Sequence, residues 1–325
     1  MNNNIQNTAD SPSSALTPPT FFDRIRALPS IIALILSYHL PAPILRGIVH
    51  LIGRLAWHLG FGLRKTIMGN LRIVYGDSKT DRELRSIGRV SIRNVVSSFI
   101  EFCILYRPPY DENNRILQIP VTGEEHLRRA LDNNSGVLAV TCHAGNLFLM
   151  PAALTRLGYP TSFVFKESSN PALREFMRDQ FIHIKVNPIF VKPRKEASQK
   201  SLNVLKSRGV LVLAMDQDTR STAAGVEFFG VVVPTASRPM QMVMETGATV
   251  IPIHTKHHGW LKHEIIIEEP IPVSGDADDD EAVARNLKLV NEFIERTILE
   301  SPSDWWWVHR RWKRAGKFAE QNRVK

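Results

Sequence analysis

The sequence predicts an α/β protein: a mainly parallel sheet covered by helices on both faces, preceded by an N-terminal hydrophobic helical anchor. Three observations lead there. The chain has 325 residues, 43% of them hydrophobic, enough for one large α/β domain with an appendage. From about residue 84, short apolar runs rich in strand formers alternate with stretches of helical periodicity, the pattern of a parallel sheet between layers of helices. Upstream, residues 27–45 carry no Asp, Glu, Lys or Arg, and a run of that length suits a bilayer.

Taken in order, residues 1–23 read as a disordered polar tail, because Asn, Ser, Thr and Pro there leave almost nothing to bury. Residues 24–63 read as the membrane-associated anchor. Arg24 and Arg26 precede an apolar run, but the Leu-Pro-Ala-Pro that follows is a poor cleavage site, so the run is read as uncleaved. A helix over 28–40 would reach about 20 Å, against a hydrocarbon core of roughly 30 Å. Spanning and lying in the interface therefore both stay open. Residues 44–63 are helical in pattern, with Arg46, His50, Arg54 and His58 at four-residue steps on one cationic stripe. Such a stripe beside Leu, Ile and Trp57 suits the headgroup layer, and equally an amphipathic helix packed on its own domain.

Residues 64–325 read as the α/β domain. Strands are expected over 136–142, 161–165, 187–191, 210–215, 249–254 and 264–268, each a short run of Val, Ile, Leu, Phe or Thr. Helices are expected over 147–157, 170–177, 196–207 and 239–245, the last with Pro239 near its first turn. A long helix over 280–300 places Val283, Leu287, Val290, Ile294 and Ile298 on one face, and acidic residues 278–281 suit its N-terminus. Met240, Met242 and Met244 read as core packing or as an adaptable apolar wall for a ligand.

Forty-one Lys and Arg against 32 Asp and Glu give a formal charge of +9, which favours an anionic partner such as a phospholipid surface or an acidic carrier. Nucleic-acid binding has only that charge behind it and no recognition module, so no nucleic-acid partner is expected. Two cysteines, Cys103 and Cys142, make neither a disulfide framework nor a Cys-x-x-Cys zinc pair. His254, His257, His258 and His263 lack a metal-binding frame and read as solvated loop histidines, so no metal is expected.

In a parallel sheet the chemistry sits where strands end and helices begin. Two such turns stand out. In Thr141-Cys142-His143-Ala144-Gly145-Asn146, His143 leaves a buried strand at the sheet mouth, where an imidazole can take a proton from a hydroxyl at neutral pH. Gly145 allows close backbone approach, and donors near Gly145 and Asn146 are candidates for an oxyanion. A purely structural histidine is the alternative. Neighbouring strand residues face opposite ways, so Cys142 is expected to be buried rather than nucleophilic. In Met215-Asp216-Gln217-Asp218-Thr219-Arg220, two carboxylates follow a strand, costly unless solvated, paired or used.

Together with Val226-Glu-Phe-Phe-Gly230, Thr246-Gly-Ala-Thr-Val-Ile-Pro252 and Trp307-Val-His-Arg-Arg-Trp312, these two blocks resemble the bacterial lipid A biosynthesis (late) acyltransferases of the lysophospholipid acyltransferase superfamily. The resemblance runs from about Ile44 to Lys313. It implies a glycerolipid-acyltransferase-like fold at the cytoplasmic face of the inner membrane, with an anionic phospholipid membrane as partner. It implies transfer of a fatty acyl chain from acyl carrier protein or acyl-CoA to a lipid hydroxyl, without metal or bound cofactor. His143 would be the general base, supported by Asp216 and Asp218. Gly145, Asn146, Lys166, Asn170, Arg238 and Arg310 would serve the substrates.

One departure matters. The family places Glu or Asp after four residues from the histidine, and here Phe148 stands at that dyad position. Phenylalanine cannot orient an imidazole. Either Asp216, Asp218 or Glu167 serves His143 from a neighbouring loop, or the chain is a non-catalytic homologue that binds lipid or an acyl carrier. A milder departure puts Lys166 where the family tends to have Arg, which keeps the charge but loses the bidentate fork.

Overall fold

The computed structural model describes residues 20–28, 39–105, 118–219, 222–316 and 318. Residues 1–19 of the expected tail and residues 29–38 of the apolar run lie outside the described residues, while residues 21–23, expected in the tail, are helical. Among the described residues no helix is long and apolar enough to cross a membrane, so the expected anchor has no support as a spanning helix.

Residues 21–28 are helical. Three longer helices follow: α1 (Ala42–Leu59), α2 (Phe61–Tyr75) and α3 (Asp81–Leu105). The expected single helix over 44–63 is broken at Gly60, which ends α1 and starts α2. The stretch after residue 84, read as alternating helix and strand, begins instead with the 25-residue α3.

The rest alternates as expected. β1 (Val121–Thr122), α4 (Glu124–Asp132), β2 (Val137–Thr141), α5 (Leu149–Arg156), β3 (Thr161–Phe165), α6 (Pro171–His183), β4 (Asn187–Phe190), α7 (Arg194–Lys206) and β5 (Val210–Ala214) come first. A hairpin of β6 (Ala223–Phe228) and β7 (Val231–Ala236) follows, then α8 (Arg238–Thr246), β8 (Thr249–Gly259), β9 (Lys262–Ile267) and α9 (Asp280–Glu300). The seven-stranded sheet has the order β1-β9-β8-β2-β5-β3-β4. β8, β2, β5, β3 and β4 are parallel, while β9 returns antiparallel to β8.

Two cores follow from the strand period of two. Leu138, Val140, Leu211 and Val250 face one core, filled by α1–α3, α8 and α9. Val137, Ala139, Val210, Val212 and Ile251 face the other, filled by α4–α6. The α9 stripe is fully buried as the periodicity predicts, and Asp279 caps the helix by accepting from Glu281 N at 2.9 Å. Met240 and Met242 are core residues.

Candidate active site at the ends of β2 and β5

β2 and β5 are parallel neighbours whose register pairs Thr141 with Ala214. Met215 N continues the ladder onto Thr141 O at 3.0 Å. Two residues beyond that pair, the chain carries His143 on one strand end and Asp216 on the other. The register therefore sets them side by side. His143 Nδ1 donates to Asp216 Oδ1 at 2.7 Å, and His143 N donates to Asp216 Oδ2 at 2.9 Å. A carboxylate can only accept here, so the Nδ1 proton is fixed and the lone pair lies on Nε2.

Asp216 is fully buried. Burial pushes its carboxyl up, but the charge of His143 and the hydrogen bonds from that residue outweigh burial and hold it well below the usual carboxylate range. Trp305 Nε1 adds a further donor to Oδ2 at 2.7 Å. The carboxylate thus accepts three hydrogen bonds and stays ionised in an apolar setting. The His143 side chain keeps 15% of its surface exposed, enough to meet a substrate.

The other expected acids have arginine partners. Asp218 pairs with Arg314 at 3.0 Å, and Glu167 lies 3.8 Å from Arg174. Phe148, at the N-cap position of α5, is buried against Phe99, Phe102 and Trp306, with ring centroids 5.2, 5.4 and 6.0 Å away. Cys142 is buried and its thiol is held well above its ordinary value, first by burial and then by the Asp216 charge, which suits a packing role.

Several expected binding residues turn out to hold the fold together. Gly145 has φ +59°, and its N–H donates to Asp304 O at 3.1 Å, so that donor is already used. Asn146 is buried and donates to Ser98 O at 3.0 Å. Asn170 caps α6, accepting from Ala172 N and Leu173 N, and donates to Asp23 O. Arg238 pairs with Glu245. Arg310 is exposed. Lys166 is exposed and close enough to help depress the His309 imidazole. His254 and His263 are buried strand residues rather than solvated loop histidines; His263 Nε2 lies 2.6 Å from Glu101 Oε2. Among the described residues no group of three or more His, Cys, Asp or Glu is placed to hold a metal ion.

Sequence reading missed three contributors, all inside the blocks it quoted. Gln217 Nε2 lies 2.9 Å from His143 Nε2 and 3.3 Å from His309 Nε2. One amide thus bridges two imidazoles, donating to both. The His309 ring stacks on Trp306 and is pushed down to about 4, first by burial and then by His143, so it is neutral near pH 7. Arg311, not Arg310, is the buried arginine; it donates to Pro234 O at 2.7 Å and Gln217 O at 3.2 Å, bracing the loop that carries Asp216. The signal available was the polar residue between two acids in Asp216-Gln-Asp218.

A carboxylate, an imidazole whose Nε2 lone pair faces outward and an amide that bonds to it make a general-base site for a hydroxyl. The comparisons with known proteins agree in kind. Residues 25–314 match the family model described as bacterial lipid A biosynthesis acyltransferase. A lipid A biosynthesis acyltransferase of Haemophilus influenzae is 26% identical over 281 residues, which cover 84% of this chain and 86% of that protein. With most of its length matched, the chain belongs to the bacterial lipid A biosynthesis acyltransferase family.

Proposed function

We propose that the protein transfers a fatty acyl chain from the thioester of acyl carrier protein or coenzyme A to a hydroxyl of a lipid A precursor or related lysolipid. The observation that carries this reading is the 2.7 Å contact of Asp216 with His143 Nδ1, which supplies the carboxylate that Phe148 cannot. His143 Nε2 takes the hydroxyl proton as the oxygen attacks the thioester carbonyl. The tetrahedral intermediate then collapses, the C–S bond breaks, and the imidazolium returns the proton to the leaving thiolate. The products are an ester and a free thiol. The hydroxyl must displace the Gln217 amide from Nε2, and that amide then remains within reach of the developing oxyanion.

The reading also puts the protein at the cytoplasmic face of the inner membrane. Of the 16 large hydrophobic side chains exposed among the described residues, ten fall within residues 21–61. Water-exposed apolar side chains concentrated on one segment mark a surface that something apolar covers.

A second reading, a non-catalytic homologue that binds lipid or an acyl carrier, is favoured by one observation. Phe148 is buried among aromatic rings at the family's acid position. Assay of the purified protein with both donor types and a panel of lipid acceptors decides between them. Transfer by the wild type that His143→Ala abolishes supports the base assignment; unchanged turnover in that variant rejects it. An inert wild type that gains transfer in Phe148→Glu establishes the second reading.

A further inference from the structure

α1 has two apolar faces, and its own fold uses only one. At 100° per residue, Leu45, Val49, Gly53 and Trp57 share the buried face toward α3. Ile44, Leu51, Ile52, Leu55 and Leu59 share another face and stay exposed, Leu51 at 58% and Leu59 at 70%. Arg46, His50, Arg54 and His58 run along the flank between them. That flank is one wall of a trough. Its narrower part, about 130 Å³, lies between α1 and α3 and is lined by His50, Arg54, Trp57, His58, Arg89 and Arg93. Sharing Trp57, His58 and Arg89, it continues into a wider part of about 490 Å³ where Arg64, Lys65, Arg72 and Arg85 converge.

The charge in this trough is nearly all of one sign. Residues 24–76 contain seven Lys and Arg and no Asp or Glu. Asp81 pairs with Arg72 at 3.1 Å and Arg85 at 3.2 Å, both at the wide end. At the narrow end, Arg89 lies over the Trp57 ring at 5.6 Å. The His50 imidazole there is pushed down by burial and by the charges of Arg93 and Arg46. An anion seated between these groups relieves that repulsion.

We propose that the trough between α1, α2 and α3 binds the phosphate headgroup of an anionic phospholipid, while the exposed Leu and Ile of α1 enter the acyl layer beside it. This rests on the reading that the protein works at a membrane surface and names the lipid class and the site. The border decides between occupants. Along α1 the cationic flank adjoins an uninterrupted aliphatic face, and a bilayer accommodates headgroup-level cations and submerged Leu and Ile together. A free phosphate has no use for that face, and an acidic protein surface would leave much of it in water.

The test is co-sedimentation of the full chain with vesicles of phosphatidylcholine alone and of phosphatidylcholine mixed with phosphatidylglycerol. Wild type should bind the mixed vesicles more tightly, with affinity falling as salt rises. A triple variant, Arg54→Gln, Arg89→Gln and Arg93→Gln, should lose on the order of 100-fold in affinity for mixed vesicles, at about fivefold per cation. It should bind phosphatidylcholine as wild type does. The Arg→Lys version of the same triple should keep most of the binding, which separates lost charge from lost fold. Equal binding of wild type to both vesicle types overturns the headgroup site and leaves the membrane reading standing. Binding to neither overturns both. Release from mixed vesicles by millimolar inorganic phosphate at constant ionic strength would make free phosphate the ligand. Release by polyglutamate at constant ionic strength would make an acidic protein the occupant.

Discussion

His143 is held at two points by one carboxylate, through its ring and through its backbone N–H, and that double hold places the Nε2 lone pair at the sheet mouth. The turn that follows is equally constrained. Gly145 has φ +59°, and a Cβ there would lie 2.5 Å from Thr255 O and 2.6 Å from Thr255 Oγ1. Gly145→Ala should therefore cost about 2 kcal/mol or more of stability and displace His143. Urea unfolding measures the first and transfer rate the second; a variant with wild-type stability would show that the turn is slack. The sequence pattern made Gly145 legible as a place of close approach. It did not say which group approaches; a Cβ there would meet Thr255. Asn170 shows the same limit, since an Asn before Pro reads alike as a binding residue and as a helix cap.

The element least legible beforehand is α3, and its buried face explains why. Ser91, Asn94, Ser97 and Ser98 are buried there between the aliphatic Leu84, Ile92 and Ile104. Ser91 Oγ donates to Trp305 O at 2.6 Å, Asn94 Nδ2 to Asp304 Oδ1 at 3.0 Å, and Ser98 Oγ to Gly145 O at 3.1 Å. A helix whose apolar stripe is interrupted by buried hydroxyls and amides gives a weak periodic signal. The β6–β7 hairpin was hidden differently: Phe229 and Gly230 both take positive φ, and Phe carries no turn signal. By contrast α9, with a purely aliphatic face, was legible to the residue. The seam of α1 with α3 closes on Gly88, where a Cβ would lie 2.8 Å from the Trp57 ring and 2.9 Å from Ile67. Gly88→Val should overpack that seam and destabilise by ~1–3 kcal/mol, seen as a lower denaturant midpoint. An unchanged midpoint would mean that α1 does not pack as described.

For the molecule as a whole, two histidines make stability depend on pH. Burial is the main reason that His254 and His309 are each pushed down to about 4. In the unfolded chain both titrate near 6.5, so below that pH the unfolded state binds protons that the fold refuses. Their contribution to stability falls as pH drops from about 6.5 toward 4, by up to ~1.4 kcal/mol per unit for each group. Glu268, Glu295 and Asp304 are raised by burial and act in the opposite sense in the carboxylate range. A His254→Asn, His309→Gln variant should thus lose less stability than wild type between pH 7 and pH 5 in urea unfolding. Equal losses would contradict the burial of these rings. The proposed catalytic pair belongs to this scale too. His143 and Asp216 are 73 residues apart and meet only because β2 and β5 are parallel neighbours in register. The sequence offered both residues, with Asp218 and Glu167 as rivals for the same role, and sheet order alone chose between them. The most direct test of that choice is kcat of Asp216→Asn beside Phe148→Leu under saturating donor and acceptor. The expected result is a fall of about 10²–10⁴-fold in Asp216→Asn, with Phe148→Leu within about tenfold of wild type. Wild-type turnover in a folded Asp216→Asn protein would contradict it.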